Sequence, residues 1–108
     1  MKDQLEKVIR DGKVAVLYSP GFGAGWFSWN ESIPQCLYHP LIVELVEQKR
    51  HAEITEELCN TLFGESFYAG GSRDLRVVWL NPGTPFLIDE YDGSETLNVR
   101  DEMDYLIA

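Results

Sequence analysis

The chain has 108 residues, 44% of them apolar, and carries 18 Asp and Glu against 9 Lys and Arg, a net charge of −9. That length predicts one domain spanning 1–108, and no apolar run approaches the length of a membrane-spanning helix. An acidic balance of this size argues against direct DNA or RNA binding, which needs a basic patch to displace counterions.

Lys2 to Arg10 reads as a short helix with Leu5, Val8 and Ile9 on one side, stopped by Asp11-Gly12. Lys13 to Tyr18 is a β-branched apolar run of strand length, expected to be buried on both faces. Pro20 breaks it. Ser32 is a candidate cap for a turn carrying Ile33, Cys36 and Leu37, and Pro40 suits the first position of a helix. Ile42, Leu45 and Val46 form one helical stripe, and Ile54, Leu58 and Leu62 another. The two are out of phase, which predicts a break near Lys49-Arg50-His51. Thr55 is a candidate N-cap for the second piece, and Gly64 ends it. A second glycine-rich loop, Tyr68 to Arg73, leads into strands expected near 75–80, 85–91 and 95–99. Asn81-Pro82-Gly83-Thr84 and Asp92-Gly93 are the turns of that meander. The tail, Asp101 to Ala108, suits either a last helical turn or a short strand. The pattern is α+β: a mostly antiparallel sheet with helices on one face.

Between the first strand and the first helix lies Ser19-Pro20-Gly21-Phe22-Gly23-Ala24-Gly25-Trp26-Phe27-Ser28-Trp29-Asn30. Alternate glycines permit close backbone approach, and the aromatics offer flat faces. The loop suits either a binding surface or a tight irregular crossover. As a binding surface it would stack Trp26 or Trp29 on a ring. An anion would meet the backbone of Gly21, Gly23 and Gly25, together with Ser19 and the guanidinium of Arg73. Asn30 and Asp92 would read hydroxyls or ring nitrogens. Trp79, inside Val77-Val78-Trp79-Leu80, is expected in the core.

Catalytic signatures are sparse. His39 and His51 are the only histidines, and no Gly-x-Ser-x-Gly elbow or Walker loop is present. Cys36 and Cys59 are expected as free buried thiols in a reducing compartment. With Cys36-x-x-His39, His51 and Cys59 on separate elements, no metal or other cofactor is expected. Asp89, Glu90 and Asp92 leave a small carboxylate enzyme as one alternative. From Asp89 to Asp104 seven acidic residues (Asp89, Glu90, Asp92, Glu95, Asp101, Glu102 and Asp104) face Arg100 alone. That run suits a solvated edge, a face that mimics nucleic-acid phosphates and docks on a basic protein partner, or a divalent-cation site. The many aromatics of a small chain suggest a homodimer or higher homo-oligomer. The absence of a signal-peptide apolar core after Met1 suggests the cytoplasm.

Val16 to Trp26 and Phe86 to Glu95 resemble segments of short accessory proteins encoded by bacteriophages and prophages. The likeness is confined to those two segments and carries no catalytic motif. It implies a counter-defence role in the host cytoplasm. Two forms of that role are a non-catalytic protein that sequesters a nucleotide-like signal and an acidic inhibitor of a host protein. The leading expectation is capture of a small polar or nucleotide-like ligand at the glycine-aromatic loop.

Overall fold

The computed structural model describes residues 6–21, 25–91 and 94–99, and the backbone of 106–107. The fold is α+β, with antiparallel strands and, among the described residues, two α-helices. Its described N-terminal part is a hairpin rather than the helix expected over Lys2 to Arg10. Residues 1–5 lie outside the described residues. Ile9–Arg10 is strand β1, which pairs with Val14 and Lys13 of β2 (Lys13–Tyr18). Asp11 and Gly12 both have positive φ, at 53° and 77°, the requirement of a two-residue hairpin turn. Asp-Gly therefore reverses a strand here instead of ending a helix, and β-branched Val8 and Ile9 suit the extended chain.

β2 is the central strand of the first sheet, between β1 and β3 (Arg76–Leu80), in the order β1-β2-β3. Val14 to Leu17 are at most 1% exposed, so β2 is buried on both faces as its composition predicts. Helix α1 (Pro40–Glu47) packs against β2 and β3. Pro40 takes the first helical position, where its missing N–H costs nothing. Ile42, Val43, Leu45 and Val46 are buried.

The expected break at Lys49-Arg50-His51 is present, with a defined cause. Lys49 adopts φ 59°. Its N–H bonds to Val46 O at 3.0 Å, and Arg50 N–H bonds to Leu45 O at 2.8 Å. This is the Schellman stop, at a position that glycine usually fills. A 3-10 turn follows at His51–Glu53. Helix α2 (Glu56–Phe63) begins at Thr55, whose Oγ1 accepts from Leu58 N–H at 3.1 Å, and ends at Gly64 with φ 108°. The other proposed cap fails. Ile33, not Ser32, precedes the 3-10 turn Pro34–Leu37, which has no side-chain cap.

Asn81-Pro82-Gly83-Thr84 forms its turn, with Thr84 N–H on Asn81 O at 3.1 Å and Gly83 at φ 83°. The strands it joins do not pair with each other. β4 (Pro85–Tyr91) is the centre of a second sheet, between β5 (Ser94–Val99) and β6 (Leu106–Ile107). The expected meander is therefore split into two three-stranded sheets. The tail contributes a strand, pairing Phe86 with Leu106 and Pro85 with Ile107. The sheets meet where Glu95 N–H bonds to Ser19 O at 2.8 Å and Ser94 Oγ donates to Pro20 O at 2.6 Å. Cys36 and Cys59 are free and buried. Burial pushes both thiols up, Cys59 to about 11. Among the described residues no helix is long and apolar enough to cross a membrane.

His39 gives the fold a pH dependence. Its Nδ1 accepts from Leu41 N–H at 3.2 Å, capping α1, and its ring meets Phe63 edge-on at 5.4 Å. Burial lowers the pKa of its imidazole from the ordinary 6.5, against the opposing charge of Glu6. The folded state thus prefers the neutral ring, and the unfolded chain takes up the proton first as pH falls. This stabilisation is complete above about pH 6.5 and is lost as pH falls from there through the lower folded-state value. His39→Asn retains a capping oxygen but cannot titrate in this range. Urea unfolding should show a flatter stability profile for this variant than for the native protein between about pH 7 and pH 5.

Candidate functional site

The two glycine-rich loops lie against each other. A Cβ on Gly71 would fall inside the carbonyl of Gly25, so this close approach requires glycine. Ser19 Oγ donates to Gly71 O at 2.9 Å. Asn30 joins the loops with three hydrogen bonds. Its Nδ2 donates to Trp26 O at 2.7 Å and Tyr68 O at 2.8 Å, and its Oδ1 accepts from Tyr68 N–H at 2.8 Å.

The buried carboxylate of Glu95 holds this junction. Oε1 accepts from Ser19 N–H at 2.8 Å. Oε2 accepts from Trp26 N–H at 2.7 Å, Ser28 N–H at 2.8 Å and Ser28 Oγ at 2.7 Å. All four partners are donors, a set that an acceptor-only carboxylate satisfies. Glu95 is 1% exposed, which removes it from the acidic face in which the sequence places it.

These contacts decide the fate of the predicted binding residues. Trp26 is 0% exposed, with Nε1 donating to Cys36 O at 2.7 Å and its ring packed edge-on at 5.0 Å from Phe67. No indole face is left for a ligand, so Trp26 belongs to the core. Ser19 and Asn30 are buried, with their donors committed to the chain itself. Gly25 is also buried, and a Cβ there would overlap Ser28 and Trp29. Trp29 is exposed at the surface, its ring edge-on to exposed Tyr68 at 6.1 Å. Gly23 and Asp92 lie outside the described residues.

Gly21 and Arg73 come together on the wall of a surface groove of about 800 Å³. A Cβ on Gly21 would overlap the carboxylate of Asp74, which also lines it. The Schellman stop of α1 brings Lys49 to the groove, and β3 brings Arg76, Val77 and Trp79. His51 completes the wall, with Nε2 at 2.9 Å from Leu75 O. A carbonyl only accepts, so Nε2 carries the hydrogen and donates it. Three of the nine Lys and Arg residues of this acidic chain thus line one groove, beside Glu47 and Asp74. Glu47 is bonded in a bidentate pair to Arg10, at 2.8 and 2.9 Å.

Trp79 is half-buried on the groove wall rather than enclosed in the core. β3 is an edge strand of its sheet, so its residues lack a further strand to cover them. Lys49, His51, Arg76 and Trp79 were not foreseen as groove residues. Their one legible signal is the helix break at Lys49 to His51. Asp89 and Glu90 are exposed on β4 and do not line the groove. Among the described residues no group of three or more His, Cys, Asp and Glu could hold a metal ion. Comparison with protein-family models, curated proteins and solved structures returns no match to this chain.

The loop junction is a fold determinant with measurable weight. Trp26→Ala should destabilise the protein by about 3–5 kcal/mol, as truncation of a core aromatic does. Glu95→Gln presents an amide N–H₂ to a backbone donor and should cost about 1–3 kcal/mol. Glu95→Ala strands the whole donor set and should cost more than Glu95→Gln. Urea unfolding of the three variants at neutral pH checks the ranking.

Proposed function

We propose that the protein is a non-catalytic binding protein that captures a small nucleotide-like anion in the groove between α1 and β3. The observation that carries this reading is the concentration of Lys49, Arg73 and Arg76 around one groove of a chain whose net charge is −9. A groove of about 800 Å³ lies within the size range of small-molecule sites. Arg73 offers a planar fork that grips phosphate or carboxylate, and Lys49 a compact charge. Asp74 against Gly21 and the His51 ring supply polar contacts for hydroxyls or ring nitrogens. The resemblance to phage accessory proteins fits sequestration of a nucleotide signal. The site differs from the one first expected, because the anion meets the Gly21 end of the loop while the Trp26 end is built into the core.

Lys49 adds a second line of support. A non-glycine residue in the left-handed region costs roughly 1 kcal/mol or more, and Lys49 occupies it at φ 59° where glycine would be unstrained. A lysine that lines the groove at such a position is explained by its charge better than by the fold.

A second reading rests on β4. Asp89, Glu90 and Tyr91 are exposed at consecutive positions there, which suits an acidic inhibitor docking on a basic protein surface. The burial of Glu95 weakens that face.

Calorimetric titration with inorganic phosphate and with adenosine monophosphate tests the leading reading. Arg73→Ala should weaken binding roughly tenfold or more, the loss of a charge-assisted hydrogen bond. Lys49→Gly should also weaken binding while leaving thermal stability equal or higher, since it relieves the left-handed strain. Affinity should fall as salt rises. Neither anion binding at millimolar concentration would sink the reading.

A further inference from the structure

The groove has a feature that a plain anion site does not need. Trp79 is gripped from outside it. The Arg10 guanidinium lies over the indole, 4.9 Å from the ring centroid. Arg10 is held in turn by the bidentate pair with Glu47. The three residues come from β1, α1 and β3, the elements that frame this side of the first sheet. Trp79 lines the groove and Arg10 does not. The cation covers one part of the ring, while Trp79 remains partly exposed and lines the groove.

We propose that Trp79 is the platform for the aromatic ring of a nucleoside phosphate, whose phosphate meets Arg73 and Lys49, and that Arg10 and Glu47 are positioning residues for that platform. This rests on the anion-binding reading of the groove and names its ligand class. The stacking role passes from Trp26 and Trp29 to Trp79, since Trp26 has no free face and Trp29 does not line the groove. An indole whose orientation is fixed before binding loses less freedom when a base lies on it. The Arg10–Trp79 contact also supplies a cation–π attraction that opposes rotation of the ring. The bidentate pair fixes the plane of the guanidinium, which a lysine could not do.

The test compares adenosine monophosphate with inorganic phosphate by calorimetry, on the native chain and on Trp79→Leu and Arg10→Gln. The native protein should bind the nucleotide roughly tenfold or more tightly than phosphate, the range of one base stacked on an aromatic. Trp79→Leu should erase that preference and leave phosphate affinity in place. Arg10 is exposed, so Arg10→Gln should keep the fold. It should lower nucleotide affinity several-fold with little change for phosphate, and Arg10→Lys should restore only part of the loss. Thermal unfolding of each variant accompanies the titrations. Equal native affinity for the two ligands overturns the platform while the anion-binding reading stands. An equal loss for both ligands in Arg10→Gln overturns the positioning role, because Arg10 would then act only through its charge. Binding of neither ligand by the native chain overturns both readings.

Discussion

A single carboxylate, that of Glu95, organises the least regular part of this protein. Removing a charged group from water costs several kcal/mol, and among the described residues no salt bridge to Glu95 repays it. The offset comes from four donors that converge on its two oxygens. Three of them are backbone N–H groups, from Ser19, Trp26 and Ser28. They lie at the end of β2 and at the start of the 3-10 turn Phe27–Trp29, where N–H groups lack partners of their own. The carboxylate and the loop thus satisfy each other. β5 cannot leave the end of β2 without stranding the loop, and the loop cannot open without stranding a buried charge.

The rest of the junction follows from that anchor. With its N–H held, Trp26 enters the core edge-on to Phe63 and Phe67 and reaches Cys36 O. Asn30, one turn later, has its amide in place to bridge Trp26 and Tyr68. That bridge brings the second glycine loop close enough for Gly71 to touch Gly25, where no side chain fits. The glycines at 25 and 71 serve chain-to-chain contact. The groove lies at the other end of the first loop, where Gly21 touches Asp74. One continuous segment thereby does two jobs: its Trp26 end closes the core and its Gly21 end forms part of a surface cleft.

What the sequence revealed and what it hid divide along the same physical line. Local determinants were legible. Val14 to Leu17 could only be a buried strand, Pro40 and Thr55 mark the starts of the two helices, and the phase shift between the Ile42 and Ile54 stripes requires a break at Lys49. The errors lie where long-range pairing decides. Val8 and Ile9 fit a helical stripe as well as a strand, and only pairing with Val14 and Lys13 makes Asp11-Gly12 a hairpin turn. Glu95 sits in an acidic run of sequence, and nothing local distinguishes it from Glu90. Its burial depends on Ser19, 76 residues away. Trp26 is enclosed and Trp79 half-exposed for the same reason, since the local sequence of a Trp in a loop or in a strand does not show what packs over it.

The groove carries the opposite balance from the chain as a whole. Net charge describes solubility and long-range steering, whereas a small anion responds to the few charges within about a Debye length of its site. Arg10, from outside the groove, partners the groove's Glu47, which leaves Lys49, Arg73 and Arg76 against Asp74. In the anion-binding reading proposed above, an acidic exterior around a locally basic cleft limits competition from nucleic acid. A polyanion must bring its whole backbone up to the surface, where the surrounding carboxylates repel it, while a single phosphate need only enter the cleft. In that reading the net charge of −9 and the Lys and Arg residues of the groove are two parts of one selectivity, the first rejecting long polyanions and the second admitting short ones.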